Sequence, residues 1–167
     1  MKKLKLGIIG VGNIGSKHYG HVLDGKCPDI EITAIADRRE ARREWVIENF
    51  PKVKTETYEA DMPVIFNEGD ELIASGLVDA ILIAVPHYFH PYFAIEAFKH
   101  GIHVMCEKPA GVYTLQVREM IAEADKHPEL VFGMMFNQRT NPVYRKMHDI
   151  IASGELGQIR RTSWLIT

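Results

Sequence analysis

The segment that decides the fold is LKLGII at Leu4–Ile9, followed directly by GVGNIG at residues 10–15. A short apolar run is typical of a buried strand, and GxGxxG after a strand is typical of a turn that leads into a helix. The first glycine permits a tight turn, the second lets the backbone approach a pyrophosphate, and the third allows close helix packing. The helix amino terminus adds N–H groups and a positive dipole. We therefore predict a dinucleotide site formed by Gly10, Gly12, Asn13, Ile14 and Gly15.

An acidic residue supports this interpretation. Asp37 follows the second predicted strand, 22 positions after Gly15 (37 minus 15). A carboxylate there can accept hydrogen bonds from the adenosine ribose hydroxyls, and it would repel a 2′-phosphate. The other interpretation is a helix N-cap for the segment that begins at Arg39. Asp37 therefore favours NAD. Arg38 can either stack on the adenine or pair with a 2′-phosphate, so NADP stays the alternative.

Apolar runs of strand length alternate with longer amphipathic stretches along the chain. This alternation predicts an α/β fold, a Rossmann-like, doubly wound and mostly parallel sheet. The predicted strands are residues 4–9, 31–36, 78–85, 102–106 and 130–135, with a short edge strand and a loop expected within 51–62. The predicted helices are residues 14–23, 39–50, 67–75, 92–100, 114–127 and 142–153.

The end of the chain predicts the start of a second domain. Residues 158–167 form a β-rich run, and a strand with no partner after it leaves apolar surface uncovered. We assign residues 1–136 to a dinucleotide-binding domain and residues 137–167 to a connecting helix and the first strand of a carboxyl-terminal α/β domain. The remainder of that domain is expected to be missing.

Composition excludes several functional classes. Of the 167 residues, 46% are hydrophobic and 25% are charged, which is the balance of a soluble globular protein. The formal charge of −2 gives no electrostatic reason to expect binding to nucleic acid or to an anionic membrane. Cys27 and Cys106 show no metal-ligand spacing, so we expect reduced thiols, no metal and a cytoplasmic location.

Two further segments end predicted strands at the same sheet edge as the glycine turn. They are AVPHYFH at residues 84–90 and GIHVMCEKP at residues 101–109. Ligands of open parallel sheets bind outside the carboxyl ends of the strands, so both segments should converge on the cofactor. The remaining histidines, including His18, show no ligand spacing and are predicted to lie on the surface. The candidate cofactor residues from these segments are Pro86, His87, His90, Glu107 and Lys108.

With the NQR sequence at residues 137–139, these motifs resemble those of the Gfo/Idh/MocA family of NAD(P)-dependent sugar and polyol dehydrogenases. The resemblance covers essentially the whole chain, and Glu107-Lys108-Pro109 is its most specific part. It implies that Lys108 hydrogen-bonds the reacting hydroxyl and assists proton transfer while the nicotinamide takes the hydride. It also implies that His90 lies beside the nicotinamide half and that Glu107 positions the lysine and cofactor. Asn137 and Arg139 are candidate substrate residues.

The sequence departs from the family in two respects. Members often have Thr-Pro-Asn where this chain has Val85-Pro86-His87, so the asparagine contact is not carried over to His87. In the family a carboxyl-terminal domain supplies a DxxxH pattern whose histidine is the principal acid/base, and this pattern is not present here. The resemblance thus implies a chain that binds cofactor with little or no turnover. The full-length protein is expected to form a homo-oligomer through that domain.

The chemistry of Lys108 leaves two functions open. A neighbouring glutamate favours the charged ammonium, which suits Lys108 to stabilising a developing alkoxide better than to acting as the sole base. The simpler interpretation is a surface ion pair at a strand end. We predict an oxidoreductase acting on a sugar, inositol or similar polyol, with a non-catalytic dinucleotide-binding redox sensor as the alternative. The Glu107-Lys108-Pro109 segment favours the enzyme, because a sensor needs no proton-handling lysine.

Overall fold

A computed structural model describes residues 2–165 of the chain. These residues divide into two compact units, of which the first reaches Met135 and the second begins at Phe136. The strands of the first unit are β1 (Leu4–Ile9), β2 (Ile30–Ala36), β3 (Val64–Phe66), β4 (Ala80–Ile83), β5 (His103–Cys106) and β6 (Phe132–Met134). Its helices are α1 (Gly15–Leu23), α2 (Glu40–Val53), α3 (Gly69–Ala74), α4 (His90–Lys99) and α5 (Thr114–Ala124), with a 3-10 turn at His87–Phe89.

The six strands form one parallel sheet in the order β3-β2-β1-β4-β5-β6. This is the strand order of the Rossmann fold, in which the direction of winding reverses between β1 and β4. The predicted doubly wound α/β class is therefore confirmed. The crevice at this reversal is where such sheets bind dinucleotides.

Both faces of the sheet are covered by helices. Helices α1 and α2 pack on one face, where Tyr19 and Val46 belong to the same buried cluster as the strand residues Ile8 and Leu82. Helices α3, α4 and α5 pack on the other face, around side chains such as Phe98. Burying each large aliphatic or aromatic side chain contributes about 1.5–3 kcal/mol. Strands covered on both faces require apolar residues on both sides, which is why most of the predicted strands are apolar on both faces.

The register of the sheet aligns the residues that follow its strands. Each of these residues donates its backbone N–H to the last carbonyl of the neighbouring strand. The bonds run from Gly10 to Ala36 at 2.7 Å, from Ala84 to Ile9 at 2.8 Å and from Glu107 to Ile83 at 2.9 Å. The glycine turn and the two predicted segments therefore meet in one row at the carboxyl edge of the sheet.

Helix α2 is longer than predicted. It continues through Pro51 to Val53, whereas we expected it to end at residue 50. A proline removes a backbone donor, but the N–H of Lys54 donates to the carbonyl of Phe50 at 3.0 Å and closes the last turn across Pro51. The edge strand expected within residues 51–62 instead lies at Val64–Phe66.

The second unit contains a 3-10 turn at Asn137–Thr140 and helix α6 (Pro142–Ala152). The side chain of Asn141 caps α6 by accepting the N–H of Val143 at 2.9 Å. The strand predicted over residues 158–167 is wrong for residues 158–165, which have no regular secondary structure. Within the described residues they pair with no other strand, and the Trp164 ring instead packs on Tyr144 with the ring centres 5.3 Å apart. The rest of that prediction lies outside the described residues.

Candidate cofactor site

The three glycines of the glycine turn have different surroundings, and the open space beside Gly12 fits a dinucleotide. Gly10 has a φ of +92°, and a Cβ added there would lie 2.7 Å from the Ala84 carbonyl oxygen. A Cβ added to Gly15 would overlap the carbonyl oxygen of Gly10. An added Cβ on Gly12 would meet only the Arg39 guanidinium, at 3.6 Å. The first and third glycines are thus required by the packing of the protein, while the second leaves open space.

The amino terminus of α1 offers unused donors. Within residues 2–165, the backbone N–H groups of Gly12, Asn13 and Ile14 donate to no carbonyl or side chain. The side chains of Asn13 and Ile14 are exposed. Free N–H groups at the start of a helix, together with its dipole, form a site for phosphate. This part of the chain therefore fits the pyrophosphate of a dinucleotide.

Asp37 lies beside this turn, buried and fully hydrogen-bonded. Its Oδ2 accepts from the Val11 N–H at 2.9 Å and from Arg39 Nη2 at 3.1 Å. Its Oδ1 accepts from the N–H and the Nε of Arg39 at 3.0 and 3.1 Å. Burial raises the pKa of Asp37, but the bonds from Arg39 and Val11 outweigh burial and hold the pKa below its ordinary value. Arg39 itself stands at the N-cap of α2, so the interpretation of Asp37 as that cap is wrong.

A cleft of about 330 Å³ extends from the glycine turn across the ends of β2 and β4. Arg38 stands at this cleft, with its Nε 2.6 Å from Glu68 Oε2 and its guanidinium 5.6 Å from the centre of the Phe89 ring. Arg38 is thus engaged by Glu68, as Arg39 is by Asp37. The cleft is lined by Ile9, Gly10, Ala36, Asp37, Arg38, Arg39, Asn67, Gly69, Ala84, Val85, Pro86, Phe89 and Phe93.

The segment after β4 contributes both exposed and buried groups. Pro86 lines the cleft, and His87 is exposed with its ring centre 5.5 Å from that of His90. His90 has no exposed surface, and its Nδ1 and Nε2 lie 2.7 and 2.9 Å from the carbonyl oxygens of Pro109 and Val85. His90 therefore ties the two predicted segments together, and its ring offers no surface to a cofactor in this structure.

After β5, Glu107 is buried and Lys108 is exposed. Glu107 is only 6% exposed, and its Oε1 lies 2.7 Å from Nε2 of His18. Its Oε2 accepts the backbone N–H of Lys108 at 3.2 Å. Among the described residues the Lys108 ammonium makes no ion pair, so the simple pairing of Glu107 with Lys108 is wrong. The prediction that His18 is a plain surface residue is also wrong, because its ring meets a buried carboxylate.

Sequence reasoning missed three residues at this edge: His18, Asn67 and Phe89. Asn67 directly follows β3, so the rule that found Asp37 after β2 could have found it. Phe89 lines the cleft, and its ring faces the Arg38 guanidinium. No local pattern pairs His18 with a carboxylate 89 positions away.

The two candidate substrate residues belong to the second unit. Asn137 and Arg139 are exposed residues of the 3-10 turn at Asn137–Thr140. The Arg139 N–H donates to the carbonyl of Phe136 at 2.9 Å, which fixes the turn but leaves the guanidinium free of recorded partners among the described residues. Their contact with substrate stays a prediction.

No group of three or more histidine, cysteine, aspartate or glutamate side chains within residues 2–165 is arranged to hold a metal ion. In the same part of the chain, no helix combines the length and the apolar character needed to cross a membrane.

A 3-2-1-4-5-6 parallel sheet, unused N–H groups at a GxGxxG turn and a buried aspartate after β2 together define an NAD-binding Rossmann domain. The chain belongs to the Gfo/Idh/MocA oxidoreductase family. The family's sequence profile, described as an oxidoreductase family with an NAD-binding Rossmann fold, matches residues 4–134.

Known relatives agree with this assignment. Inositol 2-dehydrogenase of Corynebacterium glutamicum strain R is 30% identical over 161 residues, which are 95% of this chain and 44% of that protein. The crystal structure of myo-inositol 2-dehydrogenase from Lactobacillus plantarum is similar with a TM-score of 0.83 and 28% identity, over 95% of this chain and 43% of that one. Scyllo-inositol dehydrogenase from Lactobacillus casei, solved with NAD(H) and scyllo-inositol, shares the fold with a TM-score of 0.83 at 24% identity, over 95% and 43%. This chain therefore spans less than half the length of these relatives.

Proposed function

We propose that this chain is the cofactor-binding portion of an oxidoreductase that transfers a hydride between a hydroxyl of a sugar, inositol or similar polyol and a nicotinamide. The observation that carries the proposal is the single row formed by the glycine turn, Asp37 and Lys108 at the carboxyl edge of the sheet. Bound NAD supplies the hydride acceptor. Since the chain covers less than half of its relatives, the complete reaction belongs to a longer protein.

Each part of the row has its own task. The free N–H groups of Gly12, Asn13 and Ile14 bind the pyrophosphate. Asp37 accepts the ribose hydroxyls. Its carboxylate already accepts four hydrogen bonds, two of them from the Arg39 guanidinium, so the guanidinium releases its two bonds when the ribose binds. The ionised carboxylate repels a 2′-phosphate, so we expect NADH to bind more tightly than NADPH.

Lys108 acts on the substrate. Its ammonium, free of a carboxylate partner among the described residues, donates to the reacting oxygen and stabilises the negative charge that develops there. The principal proton acceptor is supplied by the longer protein. The His90 ring lies between the carbonyl oxygens of Val85 and Pro109 and so supports the backbone of the segments that follow β4 and β5.

The test is Lys108→Met in the longer protein that carries this chain. Removing a group that donates a proton or stabilises charge in the transition state should lower kcat about 10²–10⁴-fold. NADH affinity, measured by fluorescence titration, should change less than about twofold because the phosphate and ribose contacts remain. Lys99→Met is the control, because Lys99 is exposed and, among the described residues, forms its ion pair with Glu96. Normal turnover by Lys108→Met would contradict the role of Lys108.

The same assay separates an enzyme from a redox sensor. An enzyme produces NADH in the presence of a polyol, whereas a sensor binds NADH without turnover.

We further propose that residues 137–167 connect this domain to a carboxyl-terminal domain through which the full protein forms a homo-oligomer. The free thiols of Cys27 and Cys106 support a location in the reducing cytoplasm.

A further inference from the structure

We propose that His18 is a positioning residue for Lys108, acting through the buried carboxylate of Glu107. His18 lies in the first turn of α1, directly after the glycine turn, and Glu107 follows β5. The 2.7 Å contact between them therefore crosses the carboxyl end of β4, which lies between β1 and β5. The proposal rests on the proposed function for the reaction of Lys108, but the contact itself does not.

The surroundings of Glu107 make His18 its essential partner. The carboxylate side chain is 7% exposed, and a buried charge needs hydrogen bonds to replace those of water. Among the described residues, its side-chain partner is His18 and its backbone partner is the N–H of Lys108. With a carboxylate acceptor at Oε1, the donor in this pair is the N–H at Nε2 of His18.

Each carboxylate oxygen of Glu107 therefore has its own hydrogen-bond partner. His18 holds Oε1, and this leaves Oε2 turned toward the Lys108 N–H. Without His18 the carboxylate is free to rotate toward solvent, and the backbone of Lys108 loses its side-chain acceptor. A displacement of about 1 Å at a reacting group can lower turnover about 100-fold. His18 therefore links the helix that binds the pyrophosphate to the residue that acts on the substrate.

Two substitutions separate positioning from simple packing. His18→Gln keeps an N–H at nearly the position of Nε2, whereas His18→Leu fills similar space with no donor. His21→Leu is the matched control, since His21 lies about one turn further along α1, lines with His18 an apolar hollow beside β4 and β5, and its side chain makes no hydrogen bond among the described residues. The measurements are the NMR signal of the Lys108 backbone amide in the 167-residue chain, NADH affinity in that chain, and kcat and KM in the longer protein.

We expect His18→Leu to move the Lys108 amide signal and to lower kcat about 10–100-fold, with NADH affinity and KM changed less than about threefold. His18→Gln should restore both the amide signal and kcat to near wild-type values, and His21→Leu should resemble wild type. An unmoved Lys108 amide in His18→Leu, or a His18→Gln as impaired as His18→Leu, would overturn the proposal. If wild type itself shows no turnover, the proposed function fails, while the amide signal still decides the role of His18.

Discussion

At the scale of single residues, the carboxylate of Asp37 is the most constrained charge in the cofactor site. Its oxygens accept from the N–H of Val11 in the glycine turn and from three donors of Arg39. Through them, the end of β2 holds the turn after β1 in place before any cofactor arrives. Asp37 is therefore both a structural link and the acceptor that we assign to the ribose.

This link predicts a dependence of stability on pH. The pKa of Asp37 is lowered in the folded chain, so its contribution to the free energy of unfolding is present above the ordinary value of 3.8 and is lost as the pH falls through the lower, folded value. Below about pH 4, wild type should lose stability more steeply than Asp37→Asn. Urea unfolding at several pH values measures this. Asp29→Asn, an exposed change of equal charge, is the control, and parallel curves for wild type and Asp37→Asn would contradict the assignment.

The sequence predicted which residues lie at the carboxyl edge of the sheet better than it predicted their hydrogen-bond partners. Gly10, Gly12 and Asp37 were found because their spacing follows from strand and helix geometry. The pairing of Arg38 with Glu68 and of His18 with Glu107 was not, because each joins residues 30 or 89 positions apart that only the folded sheet brings together. The place of His90 beside the nicotinamide half stays a prediction, and its complete burial depends on packing that no local pattern encodes.

At the scale of elements, the turn between β1 and α1 combines two constraints in six residues. Gly10 and Gly15 are needed for the fold, since a side chain there would collide with the backbone at Ala84 or at Gly10. Gly12 is not needed for the fold, because its side-chain position faces open space near Arg39. Substitution of Gly10 or Gly15 should therefore lower stability, whereas substitution of Gly12 should mainly weaken cofactor binding.

We predict that Gly12→Ala binds NADH about tenfold or more weakly, because a methyl group would stand where the pyrophosphate approaches the backbone. Its melting temperature should stay within about 2 °C of wild type, as expected where a surface change costs little. Gly10→Ala should instead lose about 1–3 kcal/mol of unfolding free energy, because alanine is strained at a positive φ. Thermal unfolding and fluorescence titration of both variants provide the comparison. Equal destabilisation of the two would show that the turn is not divided in this way.

The elements that sequence predicted well are those fixed by burial. β1 was predicted to the residue because it is apolar and ends at a glycine, and the other central strands were predicted to within a few residues. The predictions that failed concern segments whose conformation does not follow from the burial of apolar side chains. They include the passage of α2 through Pro51 and the unpaired residues 158–165, whose conformation depends on neighbours rather than on their own apolar content.

At the scale of the whole molecule, the first unit contains every group that we assign to the cofactor. The row at the carboxyl edge of the sheet, the cleft and Glu107 with Lys108 all lie before residue 136. Relatives extend to more than twice this length, so turnover is assigned to the longer protein. We expect cofactor binding, in contrast, to require only groups of the first unit.

The central claim is therefore tested by adding NADH to the 167-residue chain and following nicotinamide fluorescence. We predict saturable binding with one site per chain, tighter for NADH than for NADPH, and weakened by Gly12→Ala. The absence of saturable NADH binding by a folded chain, shown by its circular dichroism and cooperative melting, would contradict the account.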